Sequence, residues 1–239
     1  MFIVELLRVE SLSAGYGNMT IIHEVSFSVE KGEIFSVVGP NGSGKSTLLK
    51  ALFGLARTFS GHIFFNGQEI TSFPPHERVK NGLGYLPQTG NVFEGLTVRE
   101  NLLLAGYEYS NGELDERLKS VQEFLPEVKR LMDRKALTLS GGERQMVALA
   151  MVLLKNPVML MFDEPTAALA PKIAEEVFGR IVALNREYGL TVLLVEQNTR
   201  RALELAERAL LLVSGSVKFF GSADELLNHR DLLSLYLGL

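Results

Sequence analysis

The chain has 239 residues, 46% hydrophobic and 22% charged, with 24 Lys plus Arg against 28 Asp plus Glu for a net charge of −4. It contains no cysteine, which excludes thiol catalysis, cysteine-ligated zinc, iron–sulfur clusters and a disulfide scaffold. The mild acidity argues against a nucleic-acid surface, and a chain this long buries roughly 70–75% of its unfolded surface, enough for one large domain without staples.

Met1 to Glu10 carries Glu5 and Arg8 within its apolar stretch, unlike a leader with a basic start and an apolar middle. Val25, Phe27 and Val29 alternate with Ser26, Ser28 and Glu30, the period of a half-buried strand. Ile34 to Val38 is an unbroken apolar run, as in a strand covered on both faces. It leads directly into a glycine-rich segment, after which Leu48, Leu49, Ala51, Leu52 and Leu55 follow at helical spacing. Ile63 to Phe65 before Asn66-Gly67 signals a hairpin. Thr97 to Glu100 has the spacing of a capping box, and the helix over Glu113 to Leu125 stops before Pro126. Ser140 to Glu143 is a second capping box, with its helix ending before Pro157. Val158 to Phe162 reads as a buried strand, and Ile173, Val177, Ile181 and Leu184 mark one face of a helix. Thr191 to Val195 is the next strand. Ala209 to Val213 enters a hairpin through Ser214-Gly215, and Ser222 to Glu225 opens a last short helix. The longest apolar runs fall well short of the ~20 residues that span a bilayer. The expected architecture is an α/β core with an antiparallel β flank and a helical insertion near residues 89–156.

Gly39-Pro40-Asn41-Gly42-Ser43-Gly44-Lys45-Ser46 fits G-x-x-x-x-G-K-[ST] in the required context, a buried strand before and an amphipathic helix after. Such a loop curls its amides onto a β-phosphate, and the helix N-terminus adds unpaired donors. Lys45 would place an ammonium on the β- and γ-phosphates, and the Ser46 hydroxyl is a hard ligand for Mg²⁺. The apolar strand before Asp163-Glu164 ends in two carboxylates. Asp163 would hold Mg²⁺, directly or through water, and Glu164 would polarise the attacking water. A strand exiting at an acidic turn is the plain alternative, less expected where parallel strands end at a ligand crevice.

Leu139-Ser140-Gly141-Gly142-Glu143 fits a helix cap, yet two glycines in a first turn each cost up to ~1 kcal/mol against alanine. A phosphate approaching the backbone would explain them. Lying after the Lys45 loop and before Asp163-Glu164, this pentad resembles the signature of the ATP-binding-cassette (ABC) ATPases, and the likeness spans almost the whole chain. The resemblance implies a P-loop NTPase core of RecA-like type with its β flank at 1–88 and 157–239. It also implies an inserted α-helical signature subdomain at 89–156. ATP and Mg²⁺ are the implied cofactors, with Gly39 to Thr47 around the phosphates and Tyr16 stacked on adenine. An exposed tyrosine in a turn explains Tyr16 equally well. Ser140, Gly141, Gly142 and Glu143 would close on the nucleotide of a facing cassette, so that two ATP lie between two head-to-tail subunits. Gln88 resembles the glutamine that joins core to insertion and touches the metal and the attacking water.

Two positions depart from that pattern. Gln197 stands where the family usually has histidine; its amide can donate to a γ-phosphate but carries no titrating proton. Ala170 stands where an interface aspartate is usual. Leu194 to Asn198, Leu169-Ala170-Pro171, Pro75 to Arg78, Leu86-Pro87-Gln88, Val92-Phe93 and Tyr236-Leu237-Gly238 together resemble the ATP-binding subunits of branched-chain amino acid importers. Urea importer cassettes share several of these, including the glutamine. The implied partners are transmembrane permease subunits, a second ABC ATPase subunit (identical or a sister) and, indirectly, a solute-binding protein outside the membrane. No nucleic acid is implied, and the implied location is the cytoplasmic face of the membrane. A soluble, non-transport ABC ATPase is the alternative class. A nucleotide kinase sharing only the phosphate loop leaves Ser140 to Glu143 unexplained.

Overall fold

The computed structural model describes residues 4–237. In chain order the elements are β1 (Glu5–Tyr16), β2 (Met19–Glu30), β3 (Ile34–Val38), α1 (Lys45–Phe53), β4 (Arg57–Phe65), β5 (Gln68–Glu69), α2 (Pro75–Lys80) and β6 (Leu83–Leu86). Then come α3 (Val98–Ala105), α4 (Asn111–Phe124), α5 (Pro126–Leu131), α6 (Gly141–Leu153), β7 (Met159–Asp163) and α7 (Pro171–Tyr188). The chain continues through β8 (Thr191–Val195), α8 (Thr199–Leu205), β9 (Arg208–Val213), β10 (Ser216–Ser222) and α9 (Ala223–Asn228).

Two sheets form. One is antiparallel, in the order β2-β1-β4-β5; the other runs β10-β9-β3-β8-β7-β6, parallel except for the antiparallel β9–β10 hairpin. Every residue of β3, β7 and β8 is buried, as expected of strands covered on both faces. Their side chains alternate between two cores. Phe35, Val37, Met161 and Leu193 face the antiparallel sheet and α1, whereas Val38, Phe162 and Leu194 share the other core with α6 and α7. The parallel sheet is thus the middle of a layered stack, and the strand ends are the places left for polar chemistry.

The capping boxes at Thr97, Ser140 and Ser222 are formed, and the turns at Asn66-Gly67 and Ser214-Gly215 adopt the positive φ that the hairpins need. Leu55 is not on α1. Gly54 ends the helix in the left-handed region, with its amide on the Ala51 carbonyl, and Leu55 is exposed beyond it. The buried strand starts at Met159, one residue later than expected, because Val158 lies part-exposed with its amide on the Gly82 carbonyl. Helices α3 to α6 lie between β6 and β7, and Val98, Leu102, Val128 and Leu149 pack into the core shared with α7. Gly238 of the C-terminal motif lies outside the described residues.

Candidate functional site

The parallel topology brings four chain segments to one edge. The phosphate loop leaves β3, Asp163-Glu164 close β7, Gln197 follows β8 and Gln88 follows β6, all at carboxyl ends of parallel strands, where open α/β sheets form crevices. The loop's shape is dictated at Gly39. A Cβ there would lie 2.0 Å from the Leu212 carbonyl oxygen. The β9–β10 turn braces the loop further, with the Gly215 amide donating to the Ser43 carbonyl at 2.9 Å. Asn41 to Thr47 line a cavity of about 310 Å³ together with Ile21 and Glu164.

Lys45 opens α1 and is buried. Its ammonium donates to the carbonyls of Gly39 at 2.8 Å and Pro40 at 3.0 Å. Burial pulls its pKa down, while the Glu164 and Asp163 carboxylates push it back up. The next residue, Ser46, donates its hydroxyl to Asp163 Oδ1 at 2.8 Å. The other carboxylate oxygen, Oδ2, accepts from the Tyr85 hydroxyl at 3.0 Å. Burial first, then the Asp163 charge, push the Tyr85 phenol above its ordinary pKa, so it remains a donor. Glu164 follows in the left-handed region at φ 51. Its Oε2 accepts from the Gln197 amide at 2.7 Å and the Gln88 amide at 3.0 Å.

Glu164, Gln88 and Gln197 are therefore one cluster, and Ser46, Asp163 and Lys45 the adjoining one. The donor set suits Mg²⁺. A hydroxyl and one carboxylate oxygen lie side by side, few enough for a small cation that keeps waters and takes phosphate oxygens. The Ser43 hydroxyl is buried in the same loop without a hydrogen-bond partner, which also fits a polar ligand there. Gln88, expected near the metal, is bonded to Glu164 rather than to Ser46 or Asp163. Tyr16 ends β1, part-exposed, and does not line the loop cavity.

Ser140 to Glu143 are not brought to the loop within this chain. Ser140, Gly142 and Glu143 line a separate cavity with Met146, Ile173 and Arg180. The Glu143 carboxylate accepts from the Ser140 amide at 2.8 Å and from Arg134 at 3.2 Å, which holds it below the usual carboxylate range. Packing within the chain already favours glycine at position 142. A Cβ on Gly142 would sit 2.5 Å from Ile173 Cγ2, and one on Gly141 3.0 Å from Leu169.

Sequence reasoning missed Tyr85, Thr166 and Glu196. Tyr85 sits in a buried strand, where its only signal is that a buried phenol needs a partner. Glu196 is 1% exposed beside Gln197 and accepts from Thr166.

The ABC transporter family model matches residues 22–167. The chain belongs to the ABC transporter family. It is 53% identical over 98% of its length to the probable branched-chain amino acid transport ATP-binding protein LivF of Archaeoglobus fulgidus, 99% of which is covered. It is 38% identical to the high-affinity branched-chain amino acid transport ATP-binding protein BraG of Pseudomonas aeruginosa, covering 98% of this chain and all of the relative. A solved dimeric structure of a post-hydrolysis ATP-binding cassette bound to ADP and Pi superposes with a TM-score of 0.79 at 28% identity, covering 91% of this chain and 99% of that one.

Proposed function

We propose that the chain is the ATP-hydrolysing, energy-coupling subunit of an importer for branched-chain amino acids. The observation that carries the reading is the pair of adjoining clusters. Lys45, Ser46 and Asp163 form a phosphate and metal face, and Glu164 beside it is bonded to two glutamine amides. The phosphate loop and Lys45 bind the triphosphate, and the Lys45 ammonium would exchange its loop carbonyls for phosphate oxygens. Ser46 and Asp163 would hold Mg²⁺, which supplies positive charge against the phosphate oxygens when bound. Glu164 would accept a hydrogen bond from the attacking water and polarise it, and Gln88 and Gln197 fix where its carboxylate points. Catalysis here is positioning and electrostatics, with little covalent work for the protein.

The transported solute rests on the two relatives that are named for branched-chain amino acids. Among the described residues no helix is long and apolar enough to cross a membrane, and in the proposed importer the solute passes through a separate membrane permease. A cavity of about 300 Å³ lined by Phe53, Tyr85, Leu86, Pro87, Met151 and Val152 lies beside Gln88 and is the proposed seat of that permease. This seat sits where the core meets the segment 89–156. A second cassette faces the phosphate loop with its Ser140 helix, at the cytoplasmic face of the membrane. Glu164→Gln tests the site: ATP binding should persist while turnover nearly vanishes and a closed dimer accumulates. Unchanged turnover would remove Glu164 from its role. Leucine uptake by vesicles holding the assembled importer tests the solute, and urea uptake instead would replace it.

A further inference from the structure

Glu196 has no part in the steps above, yet it is one of the most buried charged residues in the chain, at 1% exposure. Its carboxylate lies between two loops. Oε1 accepts from the Thr166 amide at 3.0 Å and from the Thr166 hydroxyl at 2.8 Å. Oε2 accepts from the Gln197 amide nitrogen of the backbone at 3.1 Å. A carboxylate is costly to bury unless donors surround it, and here each oxygen has at least one. Burial pushes the Glu196 pKa up, the Thr166 and Gln197 donors pull it down, and the neighbouring Glu164 charge pushes it up again.

Both loops tied by this carboxylate carry the hydrolytic cluster. The turn from β7 to α7 contains Thr166, with Glu164 at φ 51 and Ala168 at φ 60 on either side of it. Non-glycine residues stay in that region only where the surroundings over-determine them. On the other loop, Gln197 is exposed and reaches 2.7 Å to Glu164 through a long side chain. A glutamine has many rotamers, so where its amide arrives depends on how firmly its backbone is held. Glu196 holds that backbone and, through Thr166, the turn bearing the other partner.

We propose that Glu196 is a positioning residue that clamps the Thr166 turn to the Gln197 loop and so sets the Gln197–Glu164 contact, acting on the hydrolytic step rather than on nucleotide binding. This inference rests on the function proposed above. No hydrogen bond joins Glu196 to the phosphate loop among the described residues, so nucleotide affinity should be insensitive to it.

The test is steady-state ATP turnover by the full-length chain, with Mg²⁺ present. Glu196→Gln keeps the shape but sets an NH₂ against either the Thr166 donors or the Gln197 amide, so one side of the clamp is lost. It should lower kcat about tenfold while KM for ATP stays within about twofold, the pattern of an interaction used after binding. Thr166→Val, at a less buried position, should lower kcat by about threefold, and Thr166→Ser should restore it. The Glu196→Gln, Thr166→Val double variant should be no slower than Glu196→Gln alone, because both act through one carboxylate. Hydrogen exchange should quicken at the Thr166 and Gln197 amides in Glu196→Gln and stay unchanged in β3 and β8. A wild-type kcat in Glu196→Gln, or kcat and nucleotide affinity falling together with Tm, would overturn the clamp. A wild-type chain that binds ATP without hydrolysing it would overturn the proposed function instead.

Discussion

Replacing Arg78 by methionine is expected to destabilise the chain by about 3–5 kcal/mol, the cost of stranding several buried carbonyls. The guanidinium is 2% exposed and donates to four backbone carbonyls: Ala51 at 2.9 Å, Leu52 at 2.5 Å, Phe73 at 2.9 Å and Thr71 at 2.8 Å. No carboxylate pairs with it among the described residues. Its counter-charge is the C-terminal end of α1, whose last carbonyls lack intrahelical partners and carry partial negative charge. Burial lowers its pKa to about 10, so it is still a cation at neutral pH. Methionine keeps an apolar stem but donates nothing. Ala51 retains the Gly54 amide as a donor, while Leu52, Thr71 and Phe73 lose the guanidinium. Each carbonyl left buried and unpaired costs about 1–3 kcal/mol, partly offset because a buried charge has been removed. At roughly 2–4 °C per kcal/mol for a chain of this size, calorimetry should show Tm falling by roughly 6–20 °C. Arg78→Lys keeps the charge without the planar fork and should fall between the two. A methionine variant within about 1 kcal/mol of wild type, or a lysine variant equal to it, would refute the capping argument.

Gln197→Ala should slow hydrolysis at least about tenfold with less than about threefold loss of ATP affinity, measured by single turnover and by equilibrium binding, since its amide meets Glu164 and not the phosphate loop. Equal losses would make Gln197 a binding contact only. Gly142→Ala should cost about 1–3 kcal/mol by overpacking against Ile173, and Ile173→Ala added to it should recover most of the loss; a neutral Gly142→Ala would disprove intrachain packing as the reason for that glycine. Hydrogen bonds inside their capping boxes hold the Glu100 and Glu143 carboxyls below the ordinary glutamate range. Their contribution is therefore present above about pH 4.3 and lost as pH falls through the lower folded values. Urea denaturation between pH 3 and 6 should show the decline, and Glu143→Gln should flatten part of it; an unchanged slope in that variant would sink the assignment.

The parts of the site legible in the sequence are those where backbone conformation demands a residue type. Gly39 to Ser46 could be recognised because its glycines hold positive φ, with close approaches at Gly39 and Gly44, and Asp163-Glu164 because two carboxylates end an apolar strand. What could not be read was partnership. Nothing in the spacing of Gln88, Glu164 and Gln197 says that they meet at one carboxylate oxygen, since β6, β7 and β8 become neighbours only through the sheet order. Tyr85 and Glu196 were hidden for the same reason, each being a polar residue on an otherwise apolar strand end whose partner comes from another element. Leu55 was misplaced because helical spacing persists across Gly54, and only the left-handed cap shows that the helix has ended.

The glycines of the signature turn answer to packing within the chain as well as to the incoming phosphate that the sequence suggests. Ile173 fills the space where a side chain at Gly142 would go, and Leu169 lies 3.0 Å from a Cβ at Gly141. The Ser140 hydroxyl and Glu143 carboxylate are both used in capping their own helix. What a second subunit's nucleotide could engage is then mainly the backbone: the amides of Gly141 and Gly142 at the positive end of α6, since the Glu143 amide already donates to Ser140. Packing against α7 and openness to an anion are not rival explanations of these glycines. The first turn of α6 sits against Leu169, in the turn after Glu164, and Ile173, in the first turn of α7, so under the function proposed above the face offered to a second cassette would be packed against the loop that bears Glu164.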